Sequence, residues 1–345
     1  MSTTPDTNPT PTAQAVRPHD AHTLRVADLS VTFRGFEGTA RVVDRANLEV
    51  GTGELIGIVG ETGCGKSVLM RALLGLLPGT ARVEGEVSFD GRDLRRLPPR
   101  ERRELILAHF NMVFQDPVGS LNPFFTVGDQ MREVLEQAAK RRGRRESRAA
   151  LNQQARALLA HVQLDDPERV MRAYPFQLSG GMNQRVSIAL ALSTDPWLIV
   201  ADEPTTALDV TVQAEVLALL QRLVREEGRS ALLITHSMGV VRTMADRVLV
   251  MYAGVVVEEA PTAALFSEPR HPYTVGLLQC VPRLTGQAMA TGIPGTLPNY
   301  THAPSGCRFH PRCPHAMAIC RERRPPDFAV GASHRVACWL YDGHQ

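Results

Sequence analysis

The chain has 345 residues, of which 43% are hydrophobic, an ordinary composition for a globular protein, and a chain of this length is expected to form about two domains. Its formal net charge of +2 gives no overall indication of binding to nucleic acid or to a membrane surface. No apolar run reaches the roughly 18–20 residues that a membrane-spanning helix requires, which argues against an integral membrane protein.

The N-terminal segment, residues 1–22, is rich in Thr and Pro and contains no apolar stretch of the kind found in secretory signals. We predict that it forms a disordered tail and that the chain resides in the cytoplasm. In that compartment the six cysteines are expected to be free, redox-active or metal-bound rather than joined in disulfides.

Two strands are predicted before the first glycine-rich loop, at residues 24–33 and 42–50. Phe33 lies at the end of the first strand, where an aromatic ring can stack on a nucleotide base. Packing in a core is the commoner fate of such a residue, and the residue by itself favours packing.

The loop at residues 60–67 reads GETGCGKS and fits the pattern G-x-x-x-x-G-K-[ST] of a phosphate-binding loop. An apolar strand at 55–59 precedes it, and apolar residues at helical spacing follow it as far as Pro78. Glycine lets the backbone approach phosphate closely, and the helix N-terminus supplies partial positive charge. We predict that the lysine reaches the β- and γ-phosphates and that the serine hydroxyl ligates Mg²⁺. The predicted nucleotide-binding residues here are Gly60, Glu61, Thr62, Gly63, Cys64, Gly65, Lys66 and Ser67.

Further strands are predicted at residues 85–89 and 112–114, and Gln115 follows the second of them. A glutamine at such a strand tip can contact Mg²⁺ and an attacking water, although it can also be a solvated turn residue. Residues 126–174 then change to a charged helical pattern, which predicts a helical insertion. The basic run at 140–145 is more typical of a solvated surface than of a site for nucleic acid or anionic lipid.

A second glycine-rich loop, LSGGMNQR at residues 178–185, opens another predicted helix and so forms a second anion-binding N-terminus. This loop carries no lysine. We therefore expect Ser179, Gly180 and Gly181 to act on a nucleotide held by another subunit.

An apolar strand at residues 197–201 ends in Asp202 and Glu203. We predict that Asp202 holds Mg²⁺, directly or through water, and that Glu203 accepts a proton from the attacking water. Two exposed acids would be the alternative, but several parts of one phosphoryl-transfer site occur together here. His236 ends a further apolar strand at 231–235 and is placed for a γ-phosphate contact, although a lone histidine is more often structural.

In this order, residues 23–267 resemble the ATP-binding subunit of an ABC transporter, and residues 178–184 are the most specific part of the resemblance. The resemblance implies an α/β P-loop nucleotide-binding domain with a helical subdomain at about 117–178, and it implies ATP and Mg²⁺ as ligands. It also implies that Phe33 stacks on adenine, although many members carry tyrosine there. Gln115 would sense Mg²⁺ and couple to the membrane partner.

The same resemblance assigns roles to residues of the second loop and of the strand ends. Ser179 and Gly181 would close on ATP bound to the opposite subunit, and Asp209 would cross the dimer interface. Glu203 would polarise water, and His236 would contact the γ-phosphate. Two such domains would sandwich two ATP molecules.

Residues 206–213, 250–254 and 271–278 resemble one branch of this family, the dipeptide, oligopeptide and nickel importer ATPases, and Met182 in place of the common glutamine agrees with that branch. The branch implies two membrane permease subunits, a second ATP-binding subunit that is either identical or a paralogue, and an extracytoplasmic peptide-binding protein. The branch also implies a peripheral location at the cytoplasmic face of the membrane, and no nucleic acid is expected as a partner. A nickel importer is one alternative. A soluble ABC ATPase acting on nucleic acid or ribosomes is another, but the sequence has one lysine-bearing loop and no sustained heptads.

The C-terminal stretch, residues 268–345, is predicted to be a separate small domain of the peptide-importer type. It has little apolar periodicity and places four cysteines within 32 positions. A segment that buries little core is plausibly cross-linked by metal, so we predict a 4Fe–4S cluster, with zinc less favoured because no C-x-x-C pair is present. Unligated or disulfide-bonded cysteines are the alternative, and some members of the resembling family carry a cluster there. The predicted ligands are Cys307, Cys313, Cys320 and Cys338.

Overall fold

The computed structural model describes residues 22–35, 38–206, 208–281 and 292–343. The predicted disordered tail at residues 1–22 therefore lies outside the described residues, except for His22. The described strands form two sheets, one with the strand order β2-β1-β4-β5 and a larger one with the order β11-β12-β10-β9-β3-β8-β7-β6. The strands are β1 (Leu24–Gly35), β2 (Gly38–Val50), β3 (Leu55–Val59), β4 (Ala81–Phe89), β5 (Arg92–Asp93), β6 (Phe110–Val113), β7 (Leu198–Asp202), β8 (Ser230–Ile234), β9 (Arg247–Tyr252), β10 (Val255–Pro261), β11 (Phe328–Gly331) and β12 (His334–Val336).

Helices cover the larger sheet and connect its parallel strands, as such connections require. None of the helices in the described part of the chain combines the length and the apolar character needed for a membrane span. The helices are α1 (Lys66–Leu73), α2 (Pro99–His109), α3 (Pro117–Ser120), α4 (Val127–Arg141), α5 (Arg148–His161), α6 (Pro167–Arg172), α7 (Gly180–Leu192), α8 (Val210–Arg225), α9 (Met238–Met244), α10 (Thr262–Ser267), α11 (Pro272–Gln279) and α12 (Ala318–Glu322).

The centre of the larger sheet is parallel, because β3 pairs with both β8 and β9, and β7 pairs with both β6 and β8, in the same direction. Every residue of β3, β7 and β8 is buried, which explains why these strands read as continuous apolar runs rather than as alternating patterns. Their carboxyl ends lie at one edge of the sheet, where ligands bind in proteins of this architecture.

The smaller sheet is antiparallel, and its strands are longer than the sequence pattern predicts. β2 begins at Gly38 rather than at residue 42, and β4 begins at Ala81 rather than at residue 85. The reason is that β1 pairs with β2 as far as Gly35, whose partner is Gly38, and with β4 as far as Phe33, whose partner is Ala81. Ladder hydrogen bonds thus extend the strands into stretches that lack apolar alternation.

The charged stretch after β6 forms helices α4, α5 and α6, in agreement with its helical pattern. Thr126 and Asp129 form a capping box at the start of α4. The basic run at its end lies mainly on the surface. Lys140 pairs with Glu136 at 2.7 Å, and Arg142 donates a hydrogen bond to the Thr194 carbonyl at 2.8 Å.

The C-terminal residues are joined to the larger sheet, since β12 pairs with β10 and β11 pairs with β12. Phe309 is 2% exposed, and its ring lies 5.0 Å from that of Tyr252 and 5.4 Å from that of Tyr273. Val336 and Ala337 are buried as well. The segment therefore does bury an apolar core, which it shares with the sheet.

Replacing Phe309 with Ala is expected to lower the free energy of unfolding by about 3–5 kcal/mol, because the change removes a large buried ring and leaves a cavity. Urea unfolding followed by tyrosine and tryptophan fluorescence measures the loss. Phe124→Ala is the matched control, since Phe124 is 85% exposed and should change stability by no more than about 0.5 kcal/mol. Equal effects of the two substitutions would contradict the shared core.

Candidate functional site

The loop after β3, the acids at the end of β7 and the histidine after β8 lie together at the carboxyl edge of the parallel strands. The link between the first two is direct, because the Ser67 hydroxyl donates a hydrogen bond to Asp202 Oδ1 at 2.9 Å. Residues separated by 135 positions in the chain are thereby brought into one site.

The phosphate loop needs glycine at its first position for two reasons. Gly60 has φ +152, and a Cβ there would lie 2.1 Å from the Met251 carbonyl oxygen. Gly65 has φ +104 and directly precedes α1, at whose first residues the backbone N–H groups have no partner within the helix. The loop is therefore an anion cradle that a side chain at either position would disturb.

Lys66 is 5% exposed, and its ammonium group lies inside the loop. Nζ donates to the carbonyl oxygens of Gly60 at 2.8 Å and of Glu61 at 3.0 Å. These partners are neutral, so a phosphate group in the loop would give the ammonium its first charged partner among the contacts described. Cys64 beside it is fully buried, and burial raises the pKa of its thiol, partly offset by the positive charge of Lys66.

Asp202 is 2% exposed. Burial raises the pKa of its carboxyl group, while the hydrogen bond from Ser67 and the nearby charge of Arg71 act in the opposite direction. A carboxylate and a hydroxyl oxygen side by side are the donors that Mg²⁺ prefers, next to a loop suited to polyphosphate. The residues present therefore fit a magnesium ion shared with a nucleotide.

Glu203 is the point at which the predicted catalytic side chains meet. Gln115 Nε2 donates to Glu203 Oε2 at 3.1 Å, and the Thr206 hydroxyl donates to the same oxygen at 3.0 Å. His236 Nδ1 lies 3.4 Å from Glu203 Oε1. The backbone of Glu203 has φ +45, an uncommon conformation for a residue with a side chain, and its N–H donates to the Ile234 carbonyl at 2.9 Å.

Such strained backbone is characteristic of functional sites that the surrounding structure holds in place. Thr206 was not among the residues that sequence reasoning assigned to the site. Its position three residues after Glu203, in the turn that ends β7, is the signal that would have identified it.

The second glycine-rich loop lies at the start of α7. The Ser179 hydroxyl caps this helix by accepting a hydrogen bond from Met182 N at 3.3 Å, and Ser179 and Gly180 are exposed. Gly181 is required for packing, because a Cβ there would lie 2.4 Å from Val212 Cγ1. The helix packs mainly against α3, α5, β6 and α8, while the exposed Ser179 and Gly180 leave its N-terminus open to another molecule.

Two further predicted residues lie at the margins of the site. Asp209 is exposed and caps α8 by accepting a hydrogen bond from Val212 N at 3.0 Å. Phe33 is half-buried against the apolar core of the smaller sheet, so that part of its ring remains available to a base.

Three residues of the C-terminal part contact the phosphate loop, and sequence reasoning missed all of them. Tyr273 OH accepts a hydrogen bond from Glu61 N at 2.9 Å, and Tyr300 OH donates one to the Gly63 carbonyl at 2.7 Å. Arg312 Nη1 lies 3.0 Å from each carboxylate oxygen of Glu61. Nothing in the spacing of these residues indicates a contact across more than 200 positions.

The prediction of an iron–sulfur cluster has to be corrected. Among the described residues, no group of three or more His, Cys, Asp or Glu side chains is arranged to hold a metal ion. Burial raises the pKa of Cys307 to about 11 and that of Cys338 to about 12. The iron–sulfur prediction is therefore wrong, and the zinc alternative gains no support. The cysteines concerned are Cys307, Cys313, Cys320 and Cys338.

The physical reason for this error is that the prediction treated the C-terminal segment as unable to bury a core. The segment instead buries Phe309 against Tyr252 of β9 and buries Val336 in β12, and Cys320 and Cys338 are buried as well.

A parallel sheet with a lysine-bearing phosphate loop, an adjoining acid pair and a second glycine-rich helix start defines an ATP-binding cassette. The sequence model of the ABC transporter family matches residues 43–206, and that of the oligopeptide/dipeptide transporter C-terminal region matches residues 257–320. The chain belongs to the family of oligopeptide and dipeptide transport ATP-binding proteins, and the predicted family membership is confirmed.

Two relatives illustrate the similarity. The oligopeptide transport ATP-binding protein OppD of Salmonella typhimurium is 45% identical over 318 residues, which cover 92% of this chain and 93% of that protein. The dipeptide transport ATP-binding protein DppD of Bacillus subtilis is 44% identical over 322 residues, which cover 92% and 95%.

Solved structures agree with the fold. The dimeric ATP-binding cassette MJ0796, in a post-hydrolysis state bound to ADP and Pi, superposes with a TM-score of 0.61 at 28% identity and covers 69% of this chain and 98% of that one. The cbiO1 subunit from Clostridium perfringens gives a TM-score of 0.59 at 25% identity, with 72% and 92% covered. The predicted P-loop fold with mixed α/β content is thereby confirmed.

Proposed function

We propose that this chain is the ATP-hydrolysing subunit of an ABC importer that powers the uptake of dipeptides and oligopeptides through membrane permease partners. The observation that carries the ATPase part is the convergence of three side chains on the Glu203 carboxylate, beside the Ser67–Asp202 hydrogen bond. Similarity to oligopeptide and dipeptide transport proteins over 92% of the chain supports the peptide part, and it favours peptides over nickel, nucleic acid or ribosomes.

In this proposal the loop at residues 60–67 binds the phosphates of ATP, and Lys66 exchanges its carbonyl partners for β- and γ-phosphate oxygens. Ser67 and Asp202 supply oxygen ligands for Mg²⁺, which neutralises charge on the phosphates when bound. Phe33 offers its exposed ring face to adenine.

Glu203 accepts the proton of the attacking water. Thr206 and Gln115 hold one of its oxygens by hydrogen bonds and leave the other directed toward His236, so the carboxylate is oriented before water arrives. His236 is placed to contact the γ-phosphate. Gln115 lies in the connection between β6 and α3, which leads on to α4. A change at the γ-phosphate can therefore shift α3 and α4 through Gln115.

A second ATP-binding subunit, identical or a paralogue, completes each site. Its Ser179, Gly180 and Gly181 close on the nucleotide held by the first subunit, and Asp209 lies at the interface between them. The exposure of Ser179, Gly180 and Asp209 supports this arrangement. ATP binding shifts the pair to a closed state, and hydrolysis releases it.

We further propose three parts of the chain: a nucleotide-binding domain at residues 23–267, within it a helical subdomain at about 117–178, and a C-terminal domain at 268–345 that docks on the same sheet. The chain would be peripheral at the cytoplasmic face of the membrane. It would work with two permease subunits and an extracytoplasmic peptide-binding protein.

The permease contact is assigned to an exposed apolar surface, defined as Val118, Phe124, Phe125 and Phe176. Their exposed fractions are 51%, 85%, 53% and 70%. The segment that carries Phe124 and Phe125 lies beside the segment that carries Phe176, because Val127 N donates a hydrogen bond to the Ala173 carbonyl at 2.9 Å. Exposed aromatic clusters mark interaction sites, and this one lies between Gln115 and Ser179 in the chain. We propose a permease subunit as its partner.

Uptake of labelled dipeptide, longer peptide and nickel should be measured in cells that lack this chain and every other peptide importer. Restoring the wild-type chain is expected to restore peptide uptake. A variant with Phe124→Ser and Phe125→Ser should restore less than about a tenth of it, while its ATP binding remains intact, since an aromatic residue that anchors an interface can contribute about 2 kcal/mol or more.

The matched control is Leu76→Ser, which should behave as wild type. Leu76 is 51% exposed, close to the 53% of Phe125. Restoration of nickel uptake alone would contradict the peptide assignment. Full peptide uptake by the double variant would instead contradict the docking surface and leave the peptide assignment standing.

A further inference from the structure

The phosphate loop carries an acidic residue at its second position, although the loop is built to hold a polyanion. The Glu61 carboxylate is paired on both oxygens by Arg312 Nη1 at 3.0 Å. The Arg312 side chain is only 6% exposed. Its Nε donates to the Pro294 carbonyl at 2.7 Å and its Nη2 to the Ile293 carbonyl at 3.0 Å. The guanidinium group is thus fixed from several directions, with its charge directed at Glu61.

Two tyrosines fix the backbone of the same loop. Tyr273, which is fully buried, accepts a hydrogen bond from Glu61 N, and Tyr300 donates one to the Gly63 carbonyl. Leu297 lies against Gly63, 3.9 Å from where a Cβ would stand. The loop therefore has a charged contact, a donor and an acceptor from the C-terminal part of the chain.

The residues of the C-terminal part that make these contacts all lie beyond residues 43–206, which the ABC transporter family model matches, and within residues 257–320 of the second family model: Tyr273, Leu297, Tyr300 and Arg312. The contacts are therefore additions to the cassette. A carboxylate beside the phosphates would repel them if it were left uncompensated. Glu61 is partly buried, at 28% side-chain exposure, so salt screens its charge less than that of a fully exposed acid.

We propose that Arg312 is a positioning residue of the nucleotide site: it neutralises Glu61 and, together with Tyr300 and Tyr273, holds the phosphate loop open to polyphosphate, so that ATP binding depends on the C-terminal part of the chain. This inference rests on the proposed ATPase function. It goes beyond that function because Arg312, Tyr300 and Tyr273, which lie far from the cassette motifs in the chain, would contribute to the affinity for nucleotide.

The charge argument makes a prediction that a merely structural contact does not. Repulsion from an unpaired Glu61 grows with the number of phosphate charges, so its effect should be largest for ATP, smaller for ADP and smallest for AMP. Removing the acid as well should remove the repulsion.

The test is equilibrium binding of ATP, ADP and AMP with Mg²⁺ to the full chain, measured by calorimetry for wild type, Arg312→Ala, Glu61→Gln and the double variant. Arg312→Ala is expected to weaken ATP binding about tenfold, because removing the guanidinium leaves the partly buried Glu61 carboxylate unpaired beside the phosphates. The double variant should return to within about threefold of wild type, as expected for coupled residues.

Arg335→Ala is the matched control, since Arg335 also lies in the C-terminal part and pairs with an acid, Glu259, at 2.6 Å. It should leave ATP affinity unchanged. If Arg312→Ala fails to fold, Arg312→Gln removes the charge and keeps a side chain that can form hydrogen bonds, and it should weaken ATP binding more than AMP binding.

Wild-type affinity in Arg312→Ala would overturn the proposal, as would a double variant as weak as Arg312→Ala. An equal loss for ATP and AMP would overturn the charge argument in the same way. Failure of the wild-type chain to bind ATP at all would instead contradict the proposed function, so the two failures are distinguishable.

Discussion

Replacing Glu203 with Gln is expected to reduce ATP hydrolysis at least about 100-fold, the lower range for loss of a positioned general base, while ATP binding stays within a few fold of wild type. Glutamine has the same shape and keeps an oxygen that can accept the hydrogen bonds of Thr206 and Gln115. Its amide cannot take a proton from water. The substitution therefore separates the chemical step from the geometry that supports it.

Phosphate release under saturating ATP measures turnover, and calorimetry with Mg²⁺–ATP measures binding. Glu226→Gln is the control, because Glu226 is an exposed acid at the end of α8 and should leave both quantities unchanged. Normal turnover by Glu203→Gln would show that the base is elsewhere. Loss of binding together with turnover would show that the carboxylate organises the loop rather than the water.

The parts of this site that could be predicted from sequence are contiguous. Residues 60–67 carry a loop, a lysine and a helix start in one stretch, and Asp202–Glu203 end a continuous apolar strand. In each case the local sequence specifies the strand, loop or helix start that carries the chemistry, although the surrounding structure holds the backbone of Glu203 at φ +45. The parallel sheet then brings these separate stretches to one edge. The apolar runs predict that such strands exist but not their order in the sheet.

The parts that could not be predicted depend on contacts between distant segments. Glu61 and Arg312 are separated by 251 positions, and neither lies in a pattern that indicates the other. The error about the four cysteines has the same origin, because the sequence of residues 268–345 does not show the sheet on which these residues pack. An apolar residue such as Phe309 belongs to no periodic pattern and is still buried by tertiary contact.

Replacing Lys66 with Ala is expected to abolish nucleotide-dependent function at an earlier step than Glu203→Gln. Lys66 is the group that can give the γ-phosphate a full positive charge from within the loop, and loss of one such preorganised donor lowers rates by about 100- to 1,000-fold. Hydrolysis should fall by at least this factor, and ATP affinity should fall with it. The sequence contains one other lysine, Lys140, which is exposed and paired with Glu136, so Lys140→Ala is a matched control expected to behave as wild type.

Thermal unfolding with and without Mg²⁺–ATP distinguishes the two variants, because a ligand raises the unfolding temperature only when the folded state binds it. Wild type, Lys140→Ala and Glu203→Gln should all be stabilised by ATP, whereas Lys66→Ala should not. A stabilised Lys66→Ala with no turnover would mean that the lysine acts only in the transition state.

Lys66 is 5% exposed and donates to two loop carbonyls, so its loss also weakens the empty loop. The comparison therefore has to be made on the shift caused by ATP rather than on the unfolding temperature itself.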